Sequence, residues 1–196
     1  IGTVKPTYLS QKSVFNDDIK EAFKKRPKIA ILNFAGFRDF YPPLAKANLE
    51  KNSLFGLFEI VTGEIELPGY ARAPGNPHEF RSIDIARIFD SEKYLRKIAD
   101  DIAGKAGDAL FVGMPAFIGI NGFNRVYQRL VTLTGKLIYE IPTLPPSILG
   151  MRLDNALKAR FAALGGEFVA GDRVSGGDFI GAKLDHVHTE NHGASR

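Results

Sequence analysis

Residues 142 to 174 decide the fold of this chain, and they read PTLPPSILG, then MRLDNALKARFAAL, then GGEFVAGDRV. The proline turn predicts a break in the chain, and Ser147 is placed to open a helix after it. Apolar residues then recur at the 3.6-residue spacing of a half-buried helix face. These residues are Leu149, Leu153, Ala156, Leu157, Phe161 and Leu164. Gly165 stands where a helix C-terminus favours positive φ, so we predict a helix that ends there and a strand over 167–174.

Compact apolar segments on the N-terminal side of this helix predict buried strands at 28–34, 109–114 and 136–141. Helical segments separate them, an alternation typical of a parallel sheet flanked by helices in a Rossmann-like α/β layer. A more polar segment within 57–67 predicts an edge strand. The last two strands, 167–174 and 182–189, predict a β-hairpin that turns at Gly176–Gly177.

The composition is that of an ordinary globular protein, with 44% hydrophobic and 24% charged residues among 196. The absence of cysteine excludes disulfides and thiolate metal sites, and the longest apolar runs have only strand length. A basic cluster lies near the start of the chain. It consists of Lys20, Lys24, Lys25, Arg26 and Lys28. Without groove-reading or stacking elements, we interpret it as a solvated helix face and expect no nucleic-acid partner.

Three loops follow the predicted parallel strands, at 33–39, 113–119 and 142–147. The carboxyl ends of parallel strands share one edge of the sheet, so neighbouring strands would place all three loops around one crevice. Prolines and glycines there could leave backbone N–H groups and helix N-termini open to an anionic small molecule. The alternative is that these are tight turns that serve only the topology.

Five side chains are candidates for substrate binding. They are His78, Arg81, Arg38, Ser147 and Arg152. The arginines suit a phosphate because a guanidinium donates two parallel hydrogen bonds, and His78 could move a proton near neutral pH. Structural ion pairs for the arginines and a helix-capping role for Ser147 are the alternatives. His186, His188 and His192 lie near the C-terminus and predict solvated side chains, so we expect no metal site.

Two blocks carry a family resemblance, HEFRSIDIARIFD at 78–90 and PTLPPSILGMRL at 142–153. They resemble the FAD-dependent oxidoreductases and, more narrowly, the B subunits of anaerobic glycerol-3-phosphate dehydrogenases. The similarity runs from Gly2 to about Asn191 and is weaker before Pro68.

The resemblance implies a quinone-dependent oxidation of sn-glycerol 3-phosphate to dihydroxyacetone phosphate, with FMN or FAD in the full-length subunit. It further implies a catalytic flavoprotein subunit and an iron–sulfur subunit that anchors the complex to the membrane. The location implied is cytoplasmic, peripheral at the inner face of the cell membrane.

No Gly-x-Gly-x-x-Gly motif for the flavin pyrophosphate occurs in the sequence, and the chain starts at Ile1 without methionine. We therefore expect an internal fragment that binds no flavin and is inactive alone, and we assign no catalytic residue. The expected division is an edge strand of the flavin domain at 1–10, an inserted α/β domain at 11–150, and a helix and hairpin at 151–196 that return to the flavin domain. A docking module for partner subunits and a sugar-phosphate-binding α/β domain are the alternative functions.

Overall fold

The computed structural model describes residues 7–14, 16–53, 55–68, 79–168, 170–191 and 194–195. The chain forms two compact units that divide between Leu153 and Asp154. In chain order, the elements are α1 (Asp17–Phe23), β1 (Ile29–Phe34), α2 (Pro42–Leu49), β2 (Ile60–Ile65), α3 (Ser82–Asp90), α4 (Leu95–Ala106), β3 (Phe111–Pro115), α5 (Phe123–Thr134), β4 (Leu137–Ile141), α6 (Ile148–Ala163), β5 (Arg173–Ile180), β6 (Lys183–Asn191) and β7 (Ala194–Ser195).

The first unit is built on a four-stranded sheet in the order β2-β1-β3-β4, and all neighbouring strands are parallel. Ile29 pairs with Ile60 on one side and with Phe111 on the other, and Phe111 pairs with Leu137. The α/β class, the parallel pairing of the three apolar strands and the edge position of β2 are therefore confirmed. The predicted edge strand at 1–10 lies partly outside the described residues, and 7–10 form no strand.

The apolar core lies on both faces of the sheet, because every residue of β1 and β3 is buried. Successive side chains on a strand point to opposite faces. Phe34 packs edge-on against Phe89 of α3, with ring centroids 5.5 Å apart, whereas Asn33 binds the segment that leads into α2. Helices therefore cover the sheet from both sides, which explains why these strands are apolar throughout.

Two predictions for the hairpin are wrong. The strand predicted over 167–174 instead spans Arg173–Ile180. Gly176 and Gly177 do not form the hairpin turn but lie inside β5. A Cβ at Gly177 would lie 2.8 Å from Leu184 Cδ1, so this glycine makes room for a cross-strand side chain. The turn is at Gly181, whose φ is +62°.

The second unit, from Asp154 onward, contains most of α6 and the antiparallel strands β5, β6 and β7. Gly165 has φ +83°, as predicted for the end of the helix. The predicted half-buried face of α6 is wrong for its C-terminal part, where Leu157 and Leu164 are 62% and 69% exposed. Among the described residues from 153 to 190, no side chain is buried, so nothing in this part of the chain covers that face. No helix in the described ranges is long and apolar enough to cross a membrane.

Candidate functional site

The loops that follow β1, β3 and β4 lie at the same edge of the sheet. The segment at 80–82 is hydrogen-bonded to both the loop after β1 and the loop after β4. The Phe80 N–H donates to the Gly36 carbonyl at 3.0 Å, and the Ser82 hydroxyl donates to the Pro146 carbonyl at 3.2 Å. The chain runs from β1 outward to β2 but from β3 outward to β4 on the opposite side. The β1–β3 boundary is therefore the topological switch point, where ligands of open α/β sheets bind.

The loop after β3 is held by the Asp90 carboxylate. Asp90 accepts hydrogen bonds from the N–H groups of Ile120 at 3.0 Å, Asn121 at 3.3 Å and Gly122 at 3.1 Å. These amides open α5, where an anion is favoured by the converging N–H groups and the helix dipole. A side chain of α3 therefore occupies the position that an anionic ligand would take.

A buried ion pair holds the start of the same loop. The Arg152 guanidinium donates to both carboxylate oxygens of Glu140, at 2.5 and 2.9 Å, and its Nε donates to the Gly119 carbonyl at 2.8 Å. Glu140 is fully buried, and it also accepts from the Ile118 N–H at 2.8 Å. The guanidinium stacks on the Phe123 ring, 4.1 Å from its centroid. This network fixes β4, the first residues of α6 up to Leu153 and the loop after β3 against each other within the first unit.

The expected open crevice of backbone donors is therefore not found at the loop after β3. Its amides donate to Glu140 and Asp90, and the Gly119 N–H donates to the Phe117 carbonyl. Sequence reasoning missed both carboxylates. Glu140 could have been found from the sequence, because it is an acidic residue inside the apolar strand LIYEI. A charge buried in such a strand requires a partner.

The loop after β1 is fixed by Asn33, which is 2% exposed. Its Nδ2 donates to the carbonyls of Phe37 at 2.8 Å and Phe40 at 2.9 Å. Phe37 packs edge-on against Phe117 across the switch point, with ring centroids 4.7 Å apart. The inner part of this edge is therefore filled by aromatic side chains.

Arg38 and Arg81 lie at the exposed rim of the same edge. Arg38 is 3.4 Å from a carboxylate oxygen of Glu79, and these two side chains are 60% and 62% exposed. Arg81 precedes α3 and pairs with Asp84 at 3.1 Å, with its side chain 76% exposed. The hydrogen bond from Arg81 lowers the pKa of Asp84 below its ordinary value. Both guanidiniums reach solvent, so an anion could approach them.

The other candidate side chains have different surroundings. Ser147 caps α6, because its hydroxyl accepts from the Gly150 N–H at 3.3 Å. Arg152 is only 8% exposed and is bound to Glu140, the structural alternative for this residue. His78 lies outside the described residues. The structure thus brings the segments of Arg38, Arg81, Ser147 and Arg152 to one edge of the sheet but buries Arg152.

The histidines of the hairpin pair with carboxylates. His186 Nδ1 lies 2.7 Å from Asp185, and His188 Nε2 lies 2.8 Å from Asp178. Within the part of the chain that the structure describes, no three histidine, aspartate or glutamate side chains are grouped to hold a metal ion.

A separate small cavity of about 180 Å³ lies between the start of α2 and strand β2. Its lining residues are Tyr41, Pro42, Pro43, Thr62, Gly63 and Glu64. Among the described candidates, Arg38, Arg81, Ser147 and Arg152 do not line it.

Comparisons with known proteins identify the family. A family model described as FAD binding domain matches residues 1–195. The B subunit of the anaerobic glycerol-3-phosphate dehydrogenase of Vibrio cholerae serotype O1 is 35% identical over 97% of this chain and 43% of its own length. The corresponding proteins of Yersinia enterocolitica and Vibrio vulnificus are 34% and 37% identical, over 98% and 91% of this chain and 44% and 40% of their own lengths.

The chain therefore spans less than half the length of these relatives. No solved structure shows a significant match. The parallel sheet flanked by helices and the family match over residues 1–195 together show that this chain belongs to the FAD-binding-domain family.

Proposed function

We propose that this chain is the middle part of a B subunit of an anaerobic glycerol-3-phosphate dehydrogenase, which oxidises sn-glycerol 3-phosphate to dihydroxyacetone phosphate and passes the electrons to quinone. The observation that carries the proposal is the 35% identity to such a protein over 97% of the chain. The partners would be a catalytic flavoprotein subunit and an iron–sulfur subunit that holds the complex at the inner face of the cell membrane.

We infer that the turn that opens α5 does not hold a flavin. A dinucleotide pyrophosphate needs free N–H groups at a glycine-containing turn that opens a helix. The turn that opens α5 is closed to it, because its amides at 120–122 donate to Asp90. We infer that FMN or FAD is held by other parts of the full-length subunit. The purified chain should then show no flavin absorption, whereas the full-length subunit should; a stoichiometric flavin in the chain would contradict this.

For the substrate, we place the phosphate at the exposed rim, near Arg38 and Arg81. Their present partners are the exposed Glu79 and the half-buried Asp84, and ion pairs at the surface contribute only about 0–1 kcal/mol. A phosphate can therefore replace Glu79 or Asp84 at little cost. Arg152 cannot be released in the same way, because its partner Glu140 is fully buried.

The test uses the full-length subunit assembled with its partners. Arg81→Ala should raise KM for glycerol 3-phosphate about ten- to a hundredfold, since one charged hydrogen bond contributes about 1.5–3 kcal/mol. Asp84→Asn is the matched control, because it removes the same ion pair and keeps the arginine. Arg96→Ala, which removes an exposed arginine of α4, should leave KM unchanged. Equal effects of Arg81→Ala and Asp84→Asn would mean that only the start of α3 was disturbed.

A docking module for partner subunits is the second candidate, and the exposed apolar side chains of the second unit favour it. In that case Arg81→Ala would leave KM unchanged. Assembly with the partner subunits would instead depend on surface side chains of this chain, which copurification of the assembled complex would show.

A further inference from the structure

Asn33 lies near the end of β1, and its side-chain amide holds the loop that carries Arg38. Asn33 is buried, and its Nδ2 donates to the carbonyls of Phe37 at 2.8 Å and Phe40 at 2.9 Å. These two carbonyls stand on either side of Arg38 in the chain, and the Arg38 side chain is exposed. One amide group therefore holds the backbone both before and after a rim arginine. We call residues 36–40 the Arg38 loop.

Other contacts hold the first half of the Arg38 loop. Gly36 has φ +93°, a value that glycine adopts without strain, and its carbonyl accepts from the Phe80 N–H at 3.0 Å. The Phe37 N–H donates to the Phe34 carbonyl at 3.0 Å. The hydrogen bond from Asn33 to the Phe40 carbonyl fixes the second half. The backbone on both sides of Arg38 is therefore ordered before any ligand binds.

The other polar atom of the Asn33 side chain is left unsatisfied. Its Oδ1 is buried and accepts no hydrogen bond from any described residue. A buried acceptor without a donor lowers the stability of a fold. Such exceptions are expected at functional sites, where the shape of a loop matters more than stability. The position of Asn33 beneath a rim arginine is a place of this kind.

We propose that Asn33 is a positioning residue for the anionic substrate, holding Arg38 where it binds the phosphate, a role that rests on the proposed function. Asn33 is only 2% exposed, so it acts through Arg38 and makes no contact with the substrate itself. Without its two hydrogen bonds, the backbone around Arg38 would have to be ordered when the phosphate binds. Ordering the backbone of one residue reduces affinity by about five- to thirtyfold.

The test is made in the full-length subunit assembled with its partners. Asn33→Leu removes both donated hydrogen bonds at nearly constant volume. It should raise KM for glycerol 3-phosphate about five- to thirtyfold and leave kcat unchanged, because the phosphate is bound equally in the ground state and the transition state. Thr134→Val is the matched control. It removes a buried hydrogen bond to the Leu130 carbonyl at the opposite edge of the sheet, before β4 begins, and should leave KM unchanged.

A second comparison, made in an Arg38→Ala background, separates positioning from a general structural effect. Arg38→Ala alone should raise KM. Adding Asn33→Leu should then raise KM by less than about twofold, because the residue through which Asn33 acts is gone. An equal rise in both backgrounds would mean that Asn33→Leu only disturbs the structure, and it would overturn the proposal. An unchanged KM in Asn33→Leu or in Arg38→Ala would overturn it as well.

Partial loss of folded protein leaves these comparisons valid, because KM does not depend on the concentration of active enzyme. If Asn33→Leu yields no folded subunit, Asn33→Ala replaces it, because the space that it opens admits water to the two carbonyls. The same rise in KM is expected, and an unchanged KM would again overturn the proposal.

Binding of inorganic phosphate to the full-length subunit, measured by isothermal titration calorimetry, repeats the comparison without turnover. If the wild-type complex oxidises no glycerol 3-phosphate, the proposed function fails. A phosphate dissociation constant that rises about five- to thirtyfold in Asn33→Leu would still support the positioning role. An equal dissociation constant in wild type and variant, or no phosphate binding to the wild type, would overturn it.

Discussion

Replacing Arg152 by methionine should lower the free energy of unfolding of the first unit by about 3–5 kcal/mol, the cost of leaving a buried charge without its partner. Glu140 is fully buried and would lose two of its three hydrogen bonds. The Gly119 carbonyl would lose its donor as well. Methionine fills much of the volume of the arginine stem, so the change reports mainly the lost charge and hydrogen bonds.

The assay is urea unfolding followed by far-ultraviolet circular dichroism, since the chain contains no tryptophan. With a slope of about 2 kcal/mol/M, the midpoint should fall by about 2 M. The double variant Glu140→Met/Arg152→Met removes both charges and should be more stable than Arg152→Met alone. Its main remaining cost is the Ile118 N–H without an acceptor, about 1–3 kcal/mol.

Arg160→Met is the matched control, because it removes an exposed arginine from the same helix and should change stability by less than about 0.5 kcal/mol. A loss of under about 1 kcal/mol in Arg152→Met would refute the reasoning. So would a double variant whose loss equals the sum of the two single losses, because the two side chains would then act independently.

Four further predictions concern the same unit. Gly113→Ala should destabilise it by about 1–3 kcal/mol, because a Cβ would lie 2.5 Å from the Tyr139 ring, whereas Gly104→Ala on an open helix face should stabilise it by about 0.5–1 kcal/mol; thermal unfolding measures both. Asp90→Ala should speed amide exchange at 120–122 at least about tenfold, because those groups lose their acceptor. Because the pKa of Asp84 is lowered, the ionised Asp84 side chain stabilises the fold above pH 3.8, the ordinary pKa of an aspartate. This stabilisation is lost as the pH falls through the lowered pKa. Asp84→Asn should therefore remove this part of the acid-induced fall in melting temperature. Burial raises the pKa of Tyr139, so the neutral phenol contributes its full stabilisation below pH 10.0, the ordinary pKa of a tyrosine. This stabilisation is lost as the pH rises through the raised pKa. Tyr139→Phe should abolish this part of the alkaline loss of stability.

The fold of the first unit could be predicted from its strands. Apolar segments such as 28–34 have no alternation of polar residues, so they must be buried on both faces. That requirement, together with the intervening helices, leaves a parallel sheet covered on both sides. The hairpin turn could not be located in this way, because a glycine pair serves equally as a turn or as space for a facing side chain such as Leu184.

The arrangement of the candidate site was less predictable. Asp90 lies 30 residues from Ile120, whose amide it accepts, and Glu140 lies 12 residues from Arg152. Neither partnership has a fixed sequence spacing, since both depend on how loops from separate elements meet. The sequence identifies Arg152 as a residue able to bind a carboxylate or phosphate, and Arg152 does bind the carboxylate of Glu140. The sequence alone does not tell whether the bound anion is a side chain of the protein or a ligand.

The distinction between buried and exposed charge also decides where an external phosphate can bind at this edge of the sheet. At the inner loop, a phosphate would have to displace Asp90 from three amides or separate the buried pair of Glu140 and Arg152. Separating that pair costs about 3–5 kcal/mol. At the rim, Arg38 would exchange the exposed Glu79 for a phosphate, and Arg81 would exchange the half-buried Asp84. Each exchange loses a surface ion pair, at a cost of about 0–1 kcal/mol. An anionic substrate is therefore expected at the rim, while the inner carboxylates hold the loop against which it would rest.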